Sequence, residues 1–330
     1  MKKLLQIGRE GRIQRYTADA ERYREYEIVY VPIGASDEEI LAAGRDAEFI
    51  LVDAVGRVSS DVIRQMPNLK AIHSEGVGYQ GVDIEAAAER NIYVCNCSAM
   101  NASAVAEQTI LLMLGLLRDV VGGNASVRKG TQIQTKEAYM LGGNLKELRE
   151  CTVGLIGFGN IAQETAKLLA AFGSRVIYYK RTPIREELEK EFGVSYAPLD
   201  ELLRESDIVS LHLPVTESTR YMVDADFLKK MRPEACLINT SRGELVNSTD
   251  LIWALENDII AAAGLDTIDG EPVCKDNPLV NAPEKADRKL LLSCHIGGIT
   301  GASFRRGYEM VWSDFEKVSR GEKPDHCVNF

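Results

Sequence analysis

An apolar stretch, "TVGLIGF" (Thr152–Phe158), runs directly into Gly159-Asn160-Ile161-Ala162 and then into the amphipathic pattern "NIAQETAKLLAAFG". Few segments constrain a fold as tightly. A strand that turns into a helix over Gly-x-Gly-x-x-Ala leaves each small residue a separate task. Gly157 permits the tight turn, Gly159 lets the backbone approach a pyrophosphate, and Ala162 lets the helix pack close to its strand. The helix N-terminus then offers free N–H groups and a partial positive charge to phosphate. Strand, spacing and helix together point to a dinucleotide site over Gly157, Phe158, Gly159, Asn160 and Ile161. The alternative is a tight turn that holds nothing.

The surroundings extend the pattern. Apolar runs alternate with amphipathic ones along most of the chain, which predicts parallel sheets covered by helices. Before residue 101 the predicted strands are "LLQI", "YEIVYVP", "AEFILVD", "LKAIHSE" and "IYVCN". The helices between them include "SDEEILAAG", "SSDVIRQM" and "DIEAAAERN", with Ser or Asp placed to cap them. From Cys151 a second alternation supplies six predicted strands, the number a complete doubly wound nucleotide domain needs. A helix rich in apolar residues, "NASAVAEQTILLMLGLLRDVV" (Asn101–Val121), lies between the two series, and "GGNASVRKG" is expected to close it. A last helix follows Gly298. The expected architecture is α/β, with two doubly wound parallel-sheet domains: a dinucleotide-binding Rossmann domain over 101–298, and a flavodoxin-like substrate domain made of 1–100 and 299–330. The cleft is expected between them.

Charge and cysteine content narrow the partners. The formal net charge is −10, which argues against nucleic acid as the main partner. No apolar run reaches the roughly 18 residues a membrane span needs, and the first residues lack the features of a signal peptide. A cytoplasmic location is therefore expected. Seven scattered cysteines fit reduced thiols better than a disulfide framework. "CNC" (Cys95, Cys97) has no second cysteine pair and no closely spaced histidine, so no metal is expected.

At the end of the strand after the glycine loop, a dinucleotide fold usually carries an acid that holds the ribose hydroxyls. Here stand Lys180, Arg181 and Thr182. A carboxylate would repel a 2′-phosphate; an arginine grips one bidentately. NADP(H) is therefore favoured, with NAD(H) possible if this is only a solvated basic turn. Pro183 suits a first helical position with Thr182 as cap, so a second helix N-terminus is expected at the same place.

Four polar groups fall at predicted strand ends: Arg242 after "ACLINTS", Asp266 ending "IAAAGLD", Glu271 just beyond, and His295 ending "KLLLSCHI". Singly, each is more often a surface residue. In a doubly wound sheet, ligands sit at the carboxyl ends of strands. A ketone that accepts a hydride needs a proton, which a histidine near neutrality can give. Glu271 would fix the His295 ring, and Arg242 would hold a substrate carboxylate and polarise its carbonyl.

With these residues in view, the chain resembles the D-isomer-specific 2-hydroxyacid dehydrogenases over nearly its whole length. "GVGYQGVDIEAAAERNIYVCN", "NASAVAEQT", "GLIGFGNIA", "HLPVTEST", "INTSRGELVN", "AAAGLDTIDGEP" and "CHIGG" look like that family's signatures in its order. The chain is similar to the NADP-preferring, glyoxylate/hydroxypyruvate reductase-like members. The resemblance implies a catalytic trio of Arg242, Glu271 and His295, with His295 as acid/base. It implies a carboxylate cradle at the backbone of Val77 and Gly78. It also implies cofactor contacts at Asn160, Ile161, Pro214, Thr219, Thr240, Ser241 and Asp266, the last meeting the nicotinamide carboxamide. A 2-keto acid or D-2-hydroxy acid substrate, a hinged cleft and a homodimer come with it, the dimer accounting for the apolar helix after Asn101. The same fold also carries non-enzymatic, dinucleotide-sensing corepressors, which keep much of the trio. Glu271 argues against formate oxidation, for which an amide is usual there. Glu75 departs from the family pattern. It would disfavour dianionic substrates if it faced the cleft, and a surface position is equally open.

Overall fold

A computed structural model describes residues 1–330. They form two compact units, Met1–Met100 with Ile299–Phe330, and Asn101–Gly298.

The first unit is a five-stranded sheet of β1 (Lys2–Ile7), β2 (Tyr26–Val31), β3 (Phe49–Val52), β4 (Ala71–Ser74) and β5 (Tyr93–Cys95). The order is β2-β1-β3-β4-β5 and every pairing is parallel, the flavodoxin-like arrangement. Period-two alternation explains its two cores. Leu4, Phe49, Leu51 and Ala71 face the last helix, Gly301–Ser319, through its Tyr308, Val311, Trp312 and Phe315. Leu5, Ile50, Val52 and Ile72 face the opposite way, onto Ile40, Val62 and Ile63. Each such side chain contributes about 1.5–3 kcal/mol, and burial on both faces is why these strands read as apolar runs. Ser36, Ser59 and Asp83 cap their helices through side-chain oxygens. Two short helices, Arg12–Tyr16 and Ala20–Arg24, carry too little periodicity to stand out in sequence.

The second unit has seven parallel strands: β6 (Thr152–Ile156), β7 (Arg175–Tyr179), β8 (Val194–Tyr196), β9 (Ile208–Leu211), β10 (Cys236–Asn239), β11 (Ala262–Leu265) and β12 (Leu290–Leu292). Their order is β12-β11-β10-β9-β6-β7-β8, the Rossmann order with one strand more than expected. The addition is β8, an edge strand of three residues, "VSY", too short to show a period.

The helix after Asn101 departs from expectation. It ends at Leu117, not Val121, and is buried over most of its circumference. Its cover is internal: the helix Asn160–Phe172 and the strands β10, β11 and β12. Asp119 then takes a left-handed conformation and accepts from the Gly122 amide, which starts a new helix, Val120–Arg128, where a closing loop was expected. A further helix follows, Gln132–Gly142. Neither contains a buried residue. Val120, Val121, Val127, Ile133, Met140 and Leu141 are exposed on them. No single helix is long and apolar enough to cross a membrane.

Candidate active site

In the second unit the glycine loop follows β6 into the helix Asn160–Phe172. Gly157 has φ +92°, and a Cβ there would collide with the His212 carbonyl. Around Gly159 the space is open, and no side chain caps the helix it begins. Ala162 is fully buried against the sheet. The loop thus presents unclaimed helix N–H groups past a residue without a side chain, which fits a pyrophosphate. Phe158 differs from its neighbours. Its ring is buried and packs on Tyr178, with centroids 4.7 Å apart. Only its backbone is free for a cofactor. Asn160 is exposed and Ile161 half-buried.

Ile156 and Tyr179 are register partners, and the Gly157 amide donates to the Tyr179 carbonyl at 2.9 Å. Lys180, Arg181 and Thr182 therefore emerge beside the glycine loop. All three are exposed. Neither cation forms an ion pair. The expected second helix N-terminus is absent here. The helix begins at Glu186, with Arg185 as a cap that makes no side-chain bond. The Tyr178 hydroxyl explains the delay: it accepts from the Ile184 amide at 3.0 Å and donates to Glu189 at 2.7 Å, holding the chain extended past Pro183.

β10, β11 and β12 are neighbours, with Asn239, Leu265 and Leu292 in register across them. Arg242, Asp266 and His295 follow these residues by three, one and three positions, so all three stand at one edge of the sheet. His295 Nδ1 lies 2.6 Å from Glu271 Oε2. The other Glu271 oxygen accepts from the Ile268 amide at 2.8 Å. A carboxylate accepts only, so the His295 proton sits on Nδ1 and Nε2 is the nitrogen left to exchange a proton with a ligand. The pair stays accessible, with side chains 47% and 33% exposed.

Asp266 is buried, and both its oxygens bind the segment that carries His295. Oδ1 accepts from Ser293 at 2.6 Å and from the Ile296 amide at 3.1 Å, and Oδ2 from the Gly297 amide at 2.9 Å. It clamps this loop, with His295 at φ +54°. Gly243 does similar work for Arg242. Any Cβ there would strike the Ile268–Asp269 backbone, so the arginine's turn lies against the loop that leads to Glu271. Arg242 itself is exposed, one of its nitrogens donating to the Ser241 carbonyl at 2.7 Å.

Thr240 and Ser241 turn their hydroxyls inward, Thr240 to Thr109 at 2.9 Å and Ser241 to the Leu211 carbonyl at 2.6 Å. Thr219 donates to the Pro214 carbonyl at 2.8 Å, shaping the loop after β9. His212 is no rival acid. Its Nδ1 is buried without a partner, and burial pushes its pKa down to about 4.

In the first unit, Ser74 donates to the Gly78 carbonyl at 2.5 Å and Asn96 to the Val77 carbonyl at 2.7 Å. The amides of Val77 and Gly78 have no acceptor within the chain. Carbonyls held and amides open is the arrangement an anion needs. Glu75 is neither on the surface nor free. It is buried, and accepts from Arg12, Gln6 and Tyr308 at 2.7, 2.7 and 2.8 Å. Arg12 also pairs with Asp53 at 2.7 Å. Glu75 was legible only as an anomaly, because its partners come from three other segments.

The chain and its fold resemble known proteins. The family model described as D-isomer specific 2-hydroxyacid dehydrogenase, NAD binding domain, matches residues 110–297. A glyoxylate reductase of Thermococcus litoralis is 34% identical over 313 residues, covering 94% of this chain and 92% of that protein. The glyoxylate reductase of Aeropyrum pernix is 35% identical over 88% of this chain and 86% of its own. Among solved structures, D-lactate dehydrogenase of Lactobacillus jensenii with NAD+ superposes with a TM-score of 0.80 at 26% identity, covering 99% of each chain.

Proposed function

The chain belongs to the D-isomer specific 2-hydroxyacid dehydrogenase family and is an NAD(P)-dependent 2-hydroxyacid oxidoreductase, and from that premise we propose that it reduces a small 2-keto acid such as glyoxylate with NADPH. The observation that carries the catalytic part is the His295–Glu271 pair, accessible and tied at one nitrogen only.

The nicotinamide, when bound, supplies the hydride. In the reductive direction a doubly protonated His295 donates from Nε2 to the alkoxide forming on the substrate. It keeps its Nδ1 proton on Glu271, which holds the ring in place throughout. Arg242 holds the substrate carboxylate and draws charge toward the carbonyl oxygen. The resemblance assigns a carboxylate cradle to the amides of Val77 and Gly78, whose lack of an internal acceptor supports it. Asp266, Pro214, Thr219, Thr240 and Ser241 remain assigned to the cofactor. The inward bonds of Thr240 and Ser241 leave their backbones as the contacting groups.

NADP(H) is favoured over NAD(H) by two unpaired cations, Lys180 and Arg181, beside the glycine loop, with Thr182 adding a hydroxyl. A homodimer is the assembly we assign, supported by the exposed apolar side chains of Val120–Arg128 and Gln132–Gly142.

Purified protein offered glyoxylate, hydroxypyruvate and pyruvate, each with NADPH and with NADH, tests this directly. Turnover with at least one keto acid and a higher kcat/KM for NADPH are expected. Absence of turnover on all three would remove the reductase reading, and equal or better use of NADH would remove the NADP(H) preference alone.

A further inference from the structure

A second histidine–carboxylate cluster lies in the first unit, and the oxidoreductase reading makes no use of it. His73 on β4 is fully buried, and its Nδ1 lies 2.8 Å from the Ser74 carbonyl oxygen. A carbonyl only accepts, so Nδ1 carries the proton and Nε2 keeps a lone pair. That lone pair faces Asp314 Oδ2 at 3.1 Å, on a carboxylate equally buried. Two acceptors in contact in a dry interior need a positive charge: a second ring proton or a cation.

The third member favours a cation. His73 and Cys95 are register partners on β4 and β5. His73, Cys95 and Asp314 bring one nitrogen, one sulfur and one carboxylate oxygen within 4.8 Å of one another, all three residues buried. An imidazolium–carboxylate pair has no need of sulfur. Imidazole, thiolate and carboxylate converging on one point are the donors of a borderline-soft divalent ion, zinc above all. Outer bonds of the kind that orient ligands are in place: His73 to the Ser74 carbonyl, and Asp314 Oδ1 accepting from the Asp325 amide at 2.9 Å. His326 Nδ1 lies 2.9 Å from the same Asp314 oxygen, outside the three converging donors, and its ring is 26% exposed, which adds an outer bond to Asp314 and a path from solvent.

We propose that His73, Cys95 and Asp314, with His326 bonded to Asp314 from outside, form a structural zinc site that fastens the C-terminal segment to β4 and β5.

The test uses the full chain, stripped with a chelator and titrated with Co2+, then with Zn2+. Expected are one cobalt per chain with a sulfur-to-cobalt charge-transfer band, its displacement by zinc, and a melting temperature that rises with added zinc. Cys95→Ser should abolish the band. His326→Ala should weaken binding on the order of 10- to 100-fold. His326 is partly exposed, so this variant keeps the test open if Cys95→Ser does not fold. No stoichiometric cobalt, cobalt bound without a sulfur band, or an affinity unchanged in His326→Ala would overturn the site and leave a buried His73–Asp314 pair.

Discussion

The two units each hold a histidine against a carboxylate, and the pairs differ in what surrounds them. In the second unit, His295 and Glu271 meet at 2.6 Å with side chains half and one-third exposed. In the first, His73 and Asp314 meet at 3.1 Å with neither exposed. Glu271 occupies one ring nitrogen of His295 and leaves the other to a ligand. The Ser74 carbonyl takes one nitrogen of His73, and the other faces Asp314 with no opening to solvent. The same pairing of imidazole with carboxylate thus yields a group placed to pass a proton in one place and a fastening in the other. Access decides which.

The sharpest way to break this contrast is at His295. His295→Ala should lower turnover about 100- to 10,000-fold with cofactor affinity nearly intact, read from steady-state kinetics and cofactor titration. Unchanged turnover would end its role as acid/base. Asp314→Asn should act on stability instead. Removing one partner of a buried pair costs about 3–5 kcal/mol, visible in urea unfolding, while turnover per folded molecule stays unchanged. A loss confined to turnover would erase the distinction between the pairs. Arg181→Ala sharpens the comparison least, since it concerns the cofactor alone. Losing a charged hydrogen bond to phosphate, worth about 1.5–3 kcal/mol, should raise KM for NADPH about 10- to 100-fold and leave NADH nearly unaffected. Equal losses with both cofactors would refute the phosphate contact.

Much of this was legible in the chain itself, for local reasons. The strands β1 to β7 and β9 to β12 are long enough, or apolar enough, to show their period. Gly157, Gly159 and Ala162 follow from what a turn and a close approach require. Arg242, Asp266, Glu271 and His295 stand out because parallel strands place their carboxyl ends at one edge of the sheet. What escaped is equally specific. β8 has three residues and no pattern. The helices Val120–Arg128 and Gln132–Gly142 expose their apolar side chains, so no buried stripe marks them. The helix start at Glu186 depends on the Tyr178 hydroxyl, which reaches Ile184 from the strand before it.

The sequence by itself determined the alternation of the longer strands and helices, the glycine loop after β6 and the choice of Arg242, Glu271 and His295 as candidates, because periodicity, turn chemistry and strand ends are properties of neighbouring residues. Only the tertiary structure decided which distant polar groups meet. "CNC" gave no reason to expect a metal, since spacing counts only donors nearby in the chain. The sheet ladder sets His73 beside Cys95, the last helix brings Asp314 and the C-terminal segment His326. Glu75 became a neutralised core residue in the same way, through Arg12, Gln6 and Tyr308. A buried charge takes its partners from whatever packs against it, and packing is settled by the whole fold.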